Sequence, residues 1–194
     1  MAFQESSRSP FATLSSFSLD IGYHPESQLI QGSDGNFYGT TYDGDGDQCG
    51  TGCVFKITSG GTLTNVVDFA TATEGRYPLG GVTQDTNGSF YGSTYQGGSG
   101  GDGADSGTLF ETDQGLGAFV TTTPTFGEVA AKVTIRGTDL TGATGVTFNG
   151  TAAAFTVVSK SEITTTVPTG ATSGTVEVTT PGGTLKSTVS FVVK

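Results

Sequence analysis

The stretch at residues 32–44, GSDGNFYGTTYDG, returns fifty-three residues further on as TNGSFYGSTYQG, residues 86–97. A repeat of this length means one supersecondary unit used twice, with the apolar face of each unit completed by its neighbour. Asp34-Gly35 and Asn87-Gly88 are hairpin dipeptides, because glycine takes a positive φ without a Cβ penalty. The segments that follow, residues 37–42 and 90–95, read as strands. Alternation places Phe37, Gly39 and Thr41 on one face and Tyr38, Thr40 and Tyr42 on the other. Phe90, Gly92 and Thr94 oppose Tyr91, Ser93 and Tyr95 in the same way. A glycine inside such a strand implies that a ring or another backbone passes close by.

The remainder of each repeat is equally regular. FATLSSF (11–17) and LTNVVDF (63–69) correspond and read as strands. GYHP (22–25) and GRYP (75–78) read as turns that launch the next strand at a proline. Residues 28–31 and 81–84 follow, and CVFKIT (53–58) and TLFETD (108–113) close the units. About four short strands per repeat is the composition of a propeller blade. Glycine accounts for 32 of 194 residues, tryptophan is absent, and only 13% of residues are charged. With no window of helical apolar spacing, the fold class is all-β.

Beyond residue 117 the texture changes. Val133 and Ile135 alternate, as do Val146 and Phe148, then Ile163, Thr165 and Val167, then Val176 and Val178, then Val189, Phe191 and Val193. Asn149-Gly150 and Pro181-Gly182-Gly183 supply turns. Short strands at this spacing predict an immunoglobulin-like β-sandwich. The expected organisation is a flexible arm (1–10), two β repeats (11–61 and 62–117), a linker (118–124) and a sandwich (125–194).

Charge follows the same division. Residues 1–117 hold fourteen acidic and three basic side chains, and residues 118–194 hold four and five, for a net charge of −10. The acidic half repels phosphate backbones and anionic membranes, so no nucleic-acid partner is expected. No apolar run is long enough to span a bilayer, so no membrane span is expected. The opening MAFQESSRSPF lacks the apolar core of an export signal. Composition nevertheless favours an extracellular or cell-surface location, with the first repeat starting as if cut from a longer array.

The order P…L…GSDGNFYGTTY…GTGCVFKIT…GTLT resembles the GloVer-type tandem repeats of bacterial surface proteins, over residues 11–117. That resemblance implies longer arrays of propeller-like blades. Two blades do not close a propeller, which takes roughly 4–8. Open sheet edges, self-association and neighbouring repeats of the same kind as partners are therefore expected. GTDLTGATGVTFNG and ITTTVPTGATSGTVEVTTPGG resemble an IPT/TIG domain, over residues 120–193. That resemblance implies a spacer or adhesion module without catalytic activity.

Three groups of side chains are candidates for chemistry. Asp43, Asp45 and Asp47 sit on alternate residues of a Gly-rich loop, and Ca²⁺ takes such oxygen ligands. The EF-hand pattern fails at its sixth and twelfth positions, Gln48 and Val54, and the second repeat lacks the acids. A Ca²⁺ site and a solvated acidic loop both remain open. Cys49 and Cys53, the only cysteines, are expected to form a disulfide if the protein is exported. Tyr42 and Tyr95 either stack on sugar rings or pack between blades. His24 is the only histidine and no G-x-S-x-G elbow is present, so no enzyme is expected. The two functional expectations are a structural or adhesion protein and a carbohydrate-binding module of a secreted degradative system.

Overall fold

The computed structural model describes residues 11–18, 20–44, 49–71, 73–98 and 106–194. The arm at residues 1–10, Asp45 and Asp47 lie outside the described residues. Compact units are formed by Met1–Thr83 with Gly92–Phe110 and by Gln84–Tyr91 with Glu111–Lys194. Among the described residues every regular element is a strand. The fold is all-β, of antiparallel blade-like sheets and an immunoglobulin-like sandwich.

In the first repeat, β1 (Ile30–Gln31), β2 (Phe37–Thr41), β3 (Cys53–Ile57) and β4 (Leu63–Asp68) form one antiparallel sheet in sequence order. Its fourth strand is taken from the start of the second repeat. In the second repeat, β5 (Val82–Gln84), β6 (Phe90–Ser93) and β7 (Leu109–Thr112) form a three-stranded sheet, with β7 as its last strand. Residues 11–17, expected to be a strand, have no sheet partner among the described residues and are not a strand. The residue pattern is sound, but a strand needs a neighbour to hold its backbone hydrogen bonds.

The repeated motif is explained by packing. At the turn, Gly35 N donates to Gly32 O and Gln31 Nε2 to Gly35 O; Gly88, Asp85 and Gln84 repeat the arrangement. Asp34 Oδ1 accepts from Asn36 N, and Asn87 Oδ1 from Ser89 N, so each Asx side chain mimics a turn of main chain. The hairpin therefore closes over five residues, 32–36, rather than over two. Gly35 and Gly88 have φ of 81° and 98°. Inside the strands, a Cβ on Gly39 would lie 2.7 Å from Phe55 Cζ, and one on Gly92 2.5 Å from Phe110 Cζ. A ring does pass over each strand glycine. Phe17 meets the Phe55 ring edge-on at 4.9 Å, and Phe69 meets Phe110 in the same way at 4.9 Å.

The sandwich uses β8 (Val120–Thr123), β9 (Phe126–Gly127), β10 (Lys132–Gly137), β11 (Gly145–Phe148), β12 (Thr151–Ala152), β13 (Phe155–Ser159), β14 (Glu162–Thr166), β15 (Val176–Thr180), β16 (Gly183–Lys186) and β17 (Val192–Val193). One sheet has the order β13-β14-β10-β8, the other β12-β11-β15-β16, and β9 and β17 pair in parallel. Val133, Ile135 and Ile163 from one sheet meet Val146, Phe148, Val176 and Val178 from the other in a single core. Each such side chain contributes roughly 1.5–3 kcal/mol on burial. Asn149 and Gly150, with φ of 45° and 85°, make the two-residue turn between β11 and β12. Residues 120–123, read as linker, are the first strand of the sandwich, and Val120 is fully buried. Val189 lies in a bend and is exposed, while Phe191 is buried.

Candidate functional site

The candidate site is the end of the FYG strand and the loop after it. In both repeats the preceding turn pairs with this strand end. Tyr23 bridges to Asp43, and Arg76 bridges to Gln96. Tyr42 N donates to His24 O and Tyr95 N donates to Tyr77 O, each at 3.0 Å. His24 and Tyr77 share an unusual positive φ, 53° and 58°. The fifty-three-residue equivalence thus holds at single-residue register.

Asp43 is half-buried, and its Oδ1 lies 2.7 Å from His24 Nδ1. Its carboxylate therefore has a partner within the protein. Asp45 and Asp47 lie outside the described residues, so convergence of the three acids has no geometric reading. Among the described residues no group of three or more His, Cys, Asp or Glu side chains is placed to hold a metal ion. The hydrogen bond that the His24 ring donates to Asp43, and then the Asp43 charge, raise the His24 pKa above its ordinary value of 6.5. A histidine raised in the folded state stabilises fully below its unfolded value and loses that contribution as pH rises through the folded value. NMR titration of this single histidine is expected to give a midpoint above 6.5 that falls back on Asp43→Asn. A midpoint indifferent to that substitution would rule the pair out in solution.

Cys49 and Cys53 are joined in a disulfide, with Cα atoms 5.0 Å apart. Such a short loop removes little chain entropy, about 2 kcal/mol. Cys49 N also donates to Asp68 Oδ1 at 3.0 Å, tying the loop to the end of β4. Thr108 takes the place of Cys53 in the second repeat. Its hydroxyl lies 2.9 Å from that of Thr94, where Thr41 faces the Cys53 sulfur at 3.1 Å.

The two tyrosines part company. Tyr42 is half-buried and stacks on Tyr77, with centroids 4.8 Å apart and planes 26° apart. Tyr95, its counterpart, is 60% exposed. It borders an open cleft of about 570 Å³ with Leu79, Ser93 and Gln96. Packing accounts for Tyr42, whereas Tyr95 offers a free ring beside an amide and a hydroxyl. Sequence reading missed Tyr77; its signal was the alignment with His24 in the two turns.

Deeper in the first repeat, Tyr38 is buried and its hydroxyl donates to Asp34 Oδ2 at 2.9 Å. Burial, then that bond and the Asp34 charge, push the phenol pKa up. Burial alone would push the Asp34 carboxyl up too. The hydrogen bonds from Asn36 and Tyr38, with Lys56 nearby, outweigh it and hold the carboxyl below its usual range. In the second repeat the polarity reverses: Asn87 Nδ2 donates to Tyr91 Oη, which donates to Glu111 Oε1.

These features define an all-β repeat protein, with blade-like sheets built from one motif. The chain belongs to the Gloeobacter/Verrucomicrobia repeat family, whose model matches residues 2–161. No curated protein matches it. Among solved structures it is similar to a crystal structure with xylogluco-oligosaccharide, at 16% identity and a TM-score of 0.34. The match covers 79% of this chain and 33% of that one, so this chain spans about a third of that protein's length.

Proposed function

We propose that this chain is a non-catalytic structural and adhesion protein held outside the cell on a bacterial surface, and that its blades associate through open sheet edges. One observation carries the reading. The residues that recur between the repeats serve turn closure, strand pairing and ring packing: Gln31, Gly35, Gly39 and Phe55 have working counterparts in Gln84, Gly88, Gly92 and Phe110. Selection for a scaffold explains such a motif without a shared catalytic group. The Cys49–Cys53 disulfide suits an oxidising compartment. The sandwich is read as an IPT/TIG domain serving as spacer. Protease treatment of intact cells is expected to remove the protein, and a protein recovered only from the cytosol would overturn the placement.

A second reading is favoured by Tyr95 and its cleft: a carbohydrate-binding module of a secreted degradative system. An exposed ring flanked by hydrogen-bonding side chains is the usual platform for a sugar. Pull-down with plant and microbial polysaccharides decides between them. Retention that disappears with Tyr95→Ala supports the module, and no retention on any polysaccharide removes it.

A further inference from the structure

The first repeat shows how a blade of this chain is completed. β4 pairs along β3, with Val67 opposite Val54, Asn65 opposite Phe55 and Asp68 opposite Cys53. The turn that follows then covers the blade's face. Tyr77 stacks on Tyr42, Thr40 Oγ1 donates to Pro78 O at 3.1 Å, and Tyr77 N donates to Thr51 O at 2.8 Å. Under this cover Tyr38, Thr40 and Val54 are no more than 1% exposed, and Pro78 is buried.

The second repeat has the same surface, and among the described residues no segment covers it as residues 77–78 cover the first. β7 is the last strand of its sheet. Leu109, the counterpart of Val54, is 90% exposed, and Tyr95, the counterpart of Tyr42, is 60% exposed. Ser93, the counterpart of Thr40, is exposed as well. An apolar strand edge of this kind is a template for another chain.

The chain also carries a second covering segment. Residues 11–17 correspond to 63–69 and residues 22–25 to 75–78. This segment is anchored in the first repeat as its counterpart is in the second: Phe17 sits on Phe55, and Tyr23 bridges to Asp43. Much of its outward side is exposed, although His24 Nδ1 keeps its contact with Asp43. Phe11 is 78% and Leu14 59% exposed, and His24 and Pro25 are exposed where Tyr77 is half-buried and Pro78 buried. That anchoring holds Phe17 and Tyr23 to their own first repeat, so the exposed side of the segment is offered to another molecule.

We propose that residues 11–16 and 24–25 of a second copy dock on the second repeat, as residues 63–68 and 77–78 do on the first. By transfer of the internal register, Ser16, Ser15 and Thr13 of the second copy lie opposite Thr108, Leu109 and Phe110. His24 of the second copy stacks on Tyr95, and its Pro25 carbonyl accepts from the Ser93 hydroxyl. Donor and acceptor surfaces differ, so the contact is head-to-tail and leads to an open chain of copies or a closed ring. The proposal rests on the structural reading above and specifies how its blades associate.

The full chain has no free cysteine, which allows a directional test. Ser16→Cys and Leu109→Cys change exposed positions, and circular dichroism checks that both variants fold. With a short bis-maleimide linker, the mixture of the two variants is expected to give a covalent dimer that neither gives alone. Light scattering of the unmodified chain is expected to show mass rising with concentration. Leu109→Lys with Tyr95→Ala is expected to weaken association at least about tenfold. A monomer at every concentration, or linking of Leu109→Cys chains to one another, would overturn the proposal. Monomers found on the cell surface would overturn the docking and leave the surface reading standing, and assembling chains confined to the cytosol would do the reverse.

Discussion

Replacing Phe148 with alanine is expected to destabilise the sandwich by about 3–5 kcal/mol, the range for deleting a buried aromatic ring. Phe148 is 1% exposed, at the end of β11, with Val176 as its partner on β15. Its ring meets Phe191 edge-on at 5.1 Å. Phe191 holds its place through two main-chain hydrogen bonds with Gly174, so truncation leaves a void the backbone has little freedom to close. For a domain of this size the melting temperature is expected to fall by roughly 12–40 °C. Calorimetry or denaturant unfolding measures it, with Phe148→Leu expected to cost less and Val158→Ala, at an exposed position, within about 0.5 kcal/mol. A loss below about 1 kcal/mol for Phe148→Ala would mean that the two sheets do not share a tightly packed core.

The sandwich was legible in the sequence because its strands alternate cleanly and its turns use Asn-Gly and Pro-Gly. Val146 and Phe148 point inward as alternation requires, and so do Val133 and Ile135. Residues 120–123 were not legible. VTTT has one apolar side chain and no visible period, and only its pairing with β10 makes it a strand. Threonine serves a buried face there, since Thr122 is 6% exposed. Val189 erred in the opposite direction: period-two alternation continued on paper across a bend that the backbone makes at Thr188 and Val189.

In the repeats, sequence showed what recurs but not what each copy touches. Tyr42 and Tyr95 occupy the same place in the motif, yet Tyr42 is covered by Tyr77, thirty-five residues away, and no ring stacks on Tyr95 among the described residues. The fourth strand of the first sheet comes from the next repeat, an exchange that periodicity cannot reveal. Asp43 looked like the first acid of a metal loop. Its hydrogen bond with His24 depends on the Tyr23–Asp43 bridge, and the two side chains, nineteen residues apart, meet only through the fold.

The strand glycine can be tested against the ring above it. Phe55→Ala is expected to cost about 3–5 kcal/mol in the first repeat, since Phe55 is 3% exposed and meets Phe17. Gly39→Val is expected to cost about 1–3 kcal/mol, because a branched side chain must displace the ring and Leu29, whose Cδ2 lies 3.0 Å from where the Cβ would be. If the ring is the reason for the glycine, the two losses are not additive. The valine then fills part of the space that Phe55→Ala empties, and the double variant is expected to be less destabilised than the sum by at least about 1 kcal/mol. Strict additivity in urea unfolding would show that Gly39 is needed for its own backbone instead. Gly39 is not among the residues of positive φ, so backbone freedom gives no competing reason for glycine there, and the close approach of Phe55 decides the residue.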